Sequence, residues 1–238
     1  MWLFNSLKSV RGDVVVITGG AMGLGRLLAL KFAKLGARVV IWDLQDDLGA
    51  QVVAEIKALG VATPRAYYYK VDVTDRAAAF LPGMVQRNKG HVVSIASAAG
   101  FAAVGIMVSL RQELQAMGKY GVHCTLVCPS FIKTGMFEGV QPPLFTTWLT
   151  PEYAAESIVR AVRRNQWRLL MPSVLYLVEM IAALLPDFVG QWLIRMTRVA
   201  QAMKHFQQTR TVGKMLIQAD QEAAKKEQDA AKATDAAQ

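Results

Sequence analysis

The sequence predicts an α/β fold built around a doubly wound, mostly parallel sheet. Strand-like and helix-like segments alternate from the start of the chain, and a glycine-rich turn follows the first strand. Short runs rich in β-branched residues mark the strands, and apolar residues at helical spacing mark the helices. The first part of the chain therefore has the order β-α-β-α-β, which is half of such a sheet.

The elements are predicted in order from these patterns. In the first half, they are strands at Val14–Thr18, Arg38–Trp42 and Tyr67–Val71 and helices at Gly23–Leu35 and Gln51–Leu59. In the second half, they are helices at Ala77–Asn88 and Gly105–Met117, strands at His91–Ala96 and Val122–Cys128, and a helix from Pro151 with Thr150 as its N-cap. Leu169–Leu185 is nearly continuous apolar sequence, which fits a buried edge helix and a membrane-surface patch equally well.

Composition divides the chain into four parts. Residues 1–10 are a first turn on the body or an interfacial segment, and 11–168 are the main domain. Residues 169–219 are an apolar and basic extension, and 220–238 are expected to be a frayed helix or a disordered tail. The net charge is +9, but the basic residues alternate with apolar runs and form no nucleic-acid motif, so a membrane surface is favoured over nucleic acid. Cys124 and Cys128 are expected to be buried thiols, and no metal site is predicted.

The glycine-rich turn is the most specific motif. Thr18–Gly25 fits the pattern T-G-x-x-x-G-x-G between a strand and a helix. Gly19 allows the tight turn, Gly23 lets backbone approach a pyrophosphate, and Gly25 allows close packing of helix on strand. The phosphates are expected at the helix N-terminus. This motif predicts a Rossmann fold that binds a dinucleotide, with cofactor contacts at Thr18, Gly19, Gly23, Leu24 and Gly25.

Two acidic residues at strand ends refine this prediction. Asp43 ends the second strand, where its carboxylate can accept from the ribose hydroxyls of NAD and would repel the 2′-phosphate of NADP. NAD is therefore favoured over NADP, although Arg26 and Arg38 lie near in sequence and could weaken the preference. Asp72, followed by Val73, either accepts from the adenine amino group or caps the surface.

With these motifs the chain resembles the short-chain dehydrogenases/reductases. It is most similar to the branch of retinol dehydrogenases and 17β-hydroxysteroid dehydrogenases, over about residues 11–186. Besides the glycine motif, the matching segments are Ile41–Asp43, Asp72–Thr74, Phe80–Met84, Gly90–Gly100, Ser109–Leu114 and Pro129–Phe137. The resemblance implies NAD(P)-dependent hydride transfer between the nicotinamide and a lipophilic alcohol or its ketone or aldehyde.

The resemblance also implies roles for individual residues. Ser97 would hydrogen-bond the substrate oxygen, Pro129 would open the loop beside the nicotinamide, and Thr134 would contact the carboxamide. Endoplasmic reticulum membrane or lipid-droplet surface is one expected location inside the cell, and the cytoplasm is the other. A homodimer is common among such relatives, but part of the helices that build it is missing here, which leaves the oligomeric state open.

The chain departs from the family at its proton donor, a Tyr with a Lys four residues on. No Tyr in this sequence has Lys at that spacing, and Leu110 stands 13 residues after Ser97, where the Tyr is expected. His91 and Tyr120 are weak substitutes. The alternative to an active enzyme is therefore a catalytically impaired dinucleotide-binding or membrane-associated protein.

Two internal segments of the family pattern are absent. One of about fifty residues would contain the strand beside the first strand, at the centre of the sheet, and one of about a dozen would contain the Tyr and Lys. We expect a sheet that is curtailed at its centre. Either another segment fills the place of the missing strand, or this chain is a shortened product of a longer gene, and the second alternative is favoured.

Overall fold

In the computed structural model, strands and helices alternate over the residues that the structure describes, which are 7–60, 65–72, 80–97, 101–134 and 148–185. The first elements are β1 (Val14–Thr18), α1 (Gly23–Lys34), β2 (Arg38–Asp43), α2 (Asp46–Ala58), β3 (Ala66–Lys70) and α3 (Leu81–Arg87). They are followed by β4 (Gly90–Ile95), α4 (Phe101–Ala116), β5 (Val122–Pro129), α5 (Pro151–Arg163), β6 (Arg168–Met171) and α6 (Val174–Leu184).

These elements belong to one of two compact units of the chain, which comprises Met1–Met136 and Thr147–Leu184. The other unit comprises Phe137–Thr146 and Leu185–Gln238, and it lies outside the described residues except for Leu185. The predicted division into four parts stays a prediction, because residues 1–6 and 186–238 lie outside the described residues. Within the described part, no helix is long and apolar enough to cross a membrane.

The strands form two separate parallel sheets. The first has the order β1-β2-β3 and the second the order β4-β5-β6. Val14 pairs with Arg38 at the start of β1, and Gly90 pairs with Val122 at the start of β4. In the described part of the chain, no strand pairing joins β1 to β4. This break lies where the family's central strand is absent, so the α/β fold with a parallel sheet curtailed at its centre is confirmed.

Most elements lie within a few residues of their predicted bounds. Thr150 caps α5 as predicted, because its Oγ1 accepts a hydrogen bond of 3.2 Å from the backbone N–H of Tyr153. The prediction for α2 was wrong at its start, since the helix begins at Asp46 rather than Gln51. Asp46 and Asp47 lie in its first turn, where their negative charges interact favourably with the helix dipole.

Two further bounds differ from the prediction. The helix α4 begins at Phe101 rather than Gly105, since an exposed glycine does not by itself stop a helix. The apolar run from Leu169 contains a strand, β6, that the sequence did not distinguish from a helix. A short apolar run fits both structures, and pairing with the neighbouring β5 decides in favour of the strand.

The buried residues form two cores on opposite faces of the second sheet. The helices α1, α2 and α5 contribute to one core, and α4 with the partly buried residues of α3 contributes to the other. Successive side chains of β5 point to opposite faces of the sheet, so Val127 lies in the first core and Leu126 lies in the second. The second sheet thus has helices on both faces, as in a three-layer fold.

The first sheet has a described helical layer on one face only. Val39 and Ile41 are fully buried against α1 and α2. On the opposite face, the side chains of Val14, Tyr67 and Tyr69 are about half exposed. This exposed face agrees with the predicted absence of the helices next to the central strand.

The packing of α2 on β3 depends on Gly49. This glycine is buried, and a Cβ added to it would lie 2.1 Å from a ring carbon of Tyr68. We expect Gly49→Ala to lower the free energy of unfolding by about 1–3 kcal/mol, because the ring would have to shift in a packed layer. Denaturant unfolding followed by circular dichroism measures this change.

Gly105→Ala is the matched control for this substitution. It adds the same methyl group to a helical glycine, but nothing lies within 4 Å of its Cβ position. We expect an increase in stability of about 0.5–1 kcal/mol from the better helix propensity of alanine. Equal effects of the two substitutions would contradict a packing role for Gly49.

Candidate dinucleotide site

The glycine-rich turn lies between the carboxyl end of β1 and the start of α1. Gly23 adopts φ +51°, a left-handed conformation that is strained for other residues, and the space beyond its Cβ position is open. Gly25 is packed differently, since a Cβ there would lie 2.0 Å from the carbonyl oxygen of Gly19. The sequence therefore brings the helix directly onto the turn, as its glycine spacing predicted.

The first turn of α1 is suited to bind an anion. Met22 is the N-cap residue in an extended conformation, and its side chain makes no capping hydrogen bond. The N–H groups of a first helical turn have no partners within the helix, and the helix dipole favours negative charge there. Together with the open space at Gly23, this first turn fits the pyrophosphate of a dinucleotide.

Asp43 is fixed next to this turn by three backbone hydrogen bonds. Its Oδ2 accepts from the N–H of Ala21 at 3.0 Å. Its Oδ1 accepts from the N–H groups of Leu44 at 2.8 Å and Gln45 at 3.2 Å. The structure thus brings together the glycine turn and the strand-end carboxylate that the sequence predicted as neighbours.

The two arginines near Asp43 in sequence have different positions in the fold. Arg38 begins β2 and therefore lies at the opposite end of the strand, where its Nε donates to the carbonyl of Gly12. Arg26 lies in α1 and is paired with Glu55 of α2, to which its Nε donates at 3.2 Å. The prediction that Arg38 could weaken the NAD preference was wrong, because Arg38 and Asp43 lie at opposite ends of the six-residue strand β2.

Lys70 is a base that the sequence analysis missed. It is the register partner of Asp43 on β3, and its Nζ lies 2.8 Å from Oδ2 of Asp46 at the start of α2. The hydrogen bond from Lys70 lowers the pKa of Asp46, and the same bond raises the pKa of Lys70. Lys70 ends β3, and this strand-end position was the sequence signal that could have identified it. No sequence pattern identifies Glu55 as the partner of Arg26.

Tyr68 connects the same carboxylate to β3. Its hydroxyl lies 2.9 Å from Oδ1 of Asp46 and 3.1 Å from the carbonyl oxygen of Asp43. Desolvation and the hydrogen bond to Asp46 raise the pKa of Tyr68 to about 12. The phenol is therefore protonated at neutral pH and holds the start of α2 against the sheet.

The predicted substrate-side residues lie at the carboxyl ends of the second sheet. Ser97 follows β4 and is exposed, and Pro129 ends β5 and is buried. Thr134 lies in the segment after β5, and its N–H donates to the carbonyl of Ile132 at 2.7 Å. In the first sheet, Asp72 follows β3 and is exposed, while Val73 lies outside the described residues. The predicted roles of these residues stay predictions.

Neither proposed substitute for the missing proton donor lies near Ser97. His91 is at the amino end of β4, roughly 20 Å along the strand from Ser97 at a rise of about 3.3 Å per residue. Tyr120 lies in the turn before β5, also at the amino ends of the strands. These two residues therefore do not replace the missing Tyr and Lys pair.

His91 belongs instead to a hydrogen-bond network at this far end. The ammonium of Lys8 lies 2.7 Å from its Nδ1, and its Nε2 lies 2.8 Å from Oγ1 of Thr125. The Thr125 hydroxyl donates to the carbonyl of Gln166 at 2.6 Å, which assigns the imidazole proton to Nε2. Burial and the nearby Lys8 charge lower the pKa of His91 to about 3.

The strand order, the glycine turn and the strand-end Asp43 together define a dinucleotide-binding α/β protein. Comparison with known proteins identifies the family. The short chain dehydrogenase family matches residues 13–80. Epidermal retinol dehydrogenase 2 from Mus musculus is 33% identical to this chain, with 77% of this chain and 81% of that protein covered. The chain belongs to the short-chain dehydrogenase family of oxidoreductases.

Other relatives lie in the same branch. Short-chain dehydrogenase/reductase family 16C member 6 from Bos taurus is 33% identical, with 87% of this chain and 90% of that protein covered. Estradiol 17-beta-dehydrogenase 11 from Rattus norvegicus is 31% identical, with 76% and 82% covered. A short-chain dehydrogenase/reductase from Burkholderia phymatum, solved in complex with NAD, is 20% identical and has the same fold, with a TM-score of 0.62 over 73% of this chain and 94% of that chain.

The alignments confirm that internal segments are absent. The alignment with the Mus musculus protein runs over 251 positions but takes in 77% of the 238 residues of this chain, or about 183 residues. About 68 aligned positions therefore have no counterpart here. This number agrees with one missing segment of about fifty residues and one of about a dozen, as the family pattern predicted.

The His91 network predicts a pH dependence of stability. Folded His91 stays neutral down to about pH 3, whereas an unfolded histidine takes up a proton near pH 6.5. Unfolding therefore takes up a proton between these pH values. As the pH is lowered through this range, the free energy of unfolding decreases by up to about 1.4 kcal/mol per pH unit. We expect a shallower slope for His91→Gln in denaturant titrations from pH 7 to pH 4. Parallel slopes for the two proteins would contradict a neutral His91 in the folded state.

Proposed function

We propose that this chain binds NAD through the turn Thr18–Gly25 and Asp43, as an oxidoreductase that acts on a lipophilic alcohol and its ketone or aldehyde. The observation that supports it best is the 3.0 Å hydrogen bond from the Ala21 N–H to Asp43, which places a carboxylate beside the phosphate-binding turn. Ribose hydroxyls can donate to this carboxylate, whereas a 2′-phosphate is repelled by it. NADP is accordingly the less favoured cofactor.

The substrate class is proposed from the relatives and the position of Ser97. The related proteins are named for retinol and estradiol, which are both lipophilic alcohols. In our proposal the Ser97 hydroxyl, after the carboxyl end of β4, donates to the substrate oxygen and stabilises negative charge on it. Thr134 hydrogen-bonds the carboxamide, Pro129 begins its loop, and Asp72 accepts from the adenine amino group. The bound nicotinamide supplies the hydride chemistry.

Cofactor binding without turnover is the second candidate function. It is favoured by the absence of any Tyr with a Lys four residues on in the whole sequence. Such a pair supplies and accepts the alcohol proton, because the lysine charge lowers the pKa of the phenol. In this alternative the chain keeps the NAD half of the site for sensing or for contact with a partner.

An NADH fluorescence titration of the full chain tests the proposed binding. We expect saturable binding that Gly23→Ala weakens at least roughly tenfold, since a side chain at φ +51° strains the turn and projects toward the pyrophosphate. Gly118→Ala is the matched control, because Gly118 has φ +67° and open space at its Cβ position in a turn before β5. Equal affinities of the two variants for NADH would contradict a cofactor site at this turn.

Turnover separates the two candidate functions. If the chain is an active enzyme, retinol or estradiol with NAD will produce NADH, and Ser97→Ala will lower kcat about 100-fold without changing NADH affinity. If NADH binds but neither alcohol is oxidised, the chain functions in binding alone. A rate that Ser97→Ala leaves unchanged would contradict the role proposed for Ser97.

The helix α6 supports a further proposal, contact with a lipid surface. Its exposed residues are mainly apolar, with Leu177 50%, Met180 58% and Leu184 80% exposed. Arg163 and Arg164 end the preceding helix, so positive charge lies nearby in the chain. Such a surface suits the endoplasmic reticulum membrane or a lipid droplet better than the cytoplasm. Homodimer formation stays a prediction.

Flotation with vesicles of phosphatidylcholine and phosphatidylserine tests this surface. We expect the chain to float at low salt and the double variant Leu177→Asp, Leu184→Asp to stay in the soluble fraction. Ile106→Asp on α4 is the control, because Ile106 is 70% exposed on a different helix. Equal flotation of all three proteins would show that α6 does not bind the vesicles.

A further inference from the structure

The basic residues Lys70 and Arg26 support an inference that rests on the proposed NAD function. Lys70 is beside Asp43 in the strand register, and Arg26 is one turn into the helix that begins at the phosphate-binding turn. Lys70 therefore lies at the strand ends where the adenosine ribose is expected, and Arg26 lies in the adjacent helix. Free cations at this edge would attract a 2′-phosphate and so favour NADP.

Both bases are engaged by carboxylates of the same helix, α2. Lys70 pairs with Asp46 in the first turn, and Arg26 pairs with Glu55 by two guanidinium nitrogens. Gln51 adds a 3.4 Å hydrogen bond to Glu55, which helps to fix this carboxylate on the helix surface. The helix α2 thus neutralises each base and leaves the Asp43 carboxylate as the unpaired charge beside the turn in the described part of the chain.

We propose that Asp46 and Glu55 are specificity-determining residues, which select NAD over NADP by holding Lys70 and Arg26 away from the ribose 2′-position. Neither carboxylate contacts the cofactor in this proposal. Both bases are accessible enough to move, since the side chains of Lys70 and Arg26 are 61% and 38% exposed. Removing the carboxylates would leave both cations free to reach a 2′-phosphate.

Titration of the full chain with NADPH and NADH tests this inference by fluorescence at low salt. We expect the double variant Asp46→Asn, Glu55→Gln to bind NADPH roughly tenfold more tightly than the wild type, by gaining charge-assisted hydrogen bonds. Its NADH affinity should change less than about twofold, since NADH has no 2′-phosphate. The NADPH gain should shrink as salt is added, because the freed charges are exposed.

Three further variants separate local pairing from net charge and from folding. Asp47→Asn removes one negative charge from the same helical turn, but no base pairs with Asp47 in the described structure, so its NADPH affinity should stay at the wild-type value. Glu55→Gln alone is the control for folding, because Glu55 lies inside α2 and away from the charges that stabilise the start of the helix. This single variant should keep part of the gain in NADPH affinity. Adding Arg26→Met and Lys70→Met to the double variant should abolish the gain.

The outcomes distinguish this inference from the proposed function. If the wild type binds no NADH, the proposed function is wrong and the inference is overturned with it. If all variants bind NADH but the double variant gains no NADPH affinity, the inference alone is overturned. An equal gain in Asp47→Asn would also overturn it, because net charge rather than pairing would then set the selectivity.

Discussion

The two sheets of this protein are held together by the packing of α1 against α5. No strand pairing joins the sheets in the described residues, so side-chain packing connects them instead. Ala29 and Ala33 of α1 and Ala154 and Ala155 of α5 are fully buried in one core. Small side chains allow helices to approach closely, and the 2.7 Å ion pair between Lys31 and Glu156 lies across the same contact.

This arrangement separates the two halves of the candidate site. The first sheet supplies the glycine turn and Asp43, and hydrogen bonds fix these two features against each other. The second sheet supplies Ser97 and Pro129 at the ends of its own strands. The glycine turn and Asp43 are fixed by hydrogen bonds and packing among β1, α1, β2, α2 and β3, which all belong to the first half of the chain. This cofactor half can therefore persist in a sequence that has no Tyr with a Lys four residues on.

The pattern of charges in the cofactor half is set by which carboxylates are paired with bases. The Asp43 carboxylate accepts hydrogen bonds from backbone N–H groups, and no ion pair neutralises it in the described structure. Lys70 and Arg26 are paired with carboxylates of α2, which begins five residues earlier than the sequence pattern indicated. The extra turn of helix is what places Asp46 within reach of Lys70 and Tyr68.

The sequence by itself determined the local structure of this protein. The spacing Thr18–Gly25, the strand-end Asp43 and the cap Thr150 depend on neighbours in the chain, so the sequence predicted them correctly. It also predicted the curtailed sheet, because two segments of the family pattern have no counterpart in the sequence. Only the tertiary structure decided that Arg26 pairs with Glu55 and Arg38 lies far from Asp43, and that β6 is a strand. Those outcomes depend on which elements meet in space, and apolar spacing within one segment contains no information about its partners.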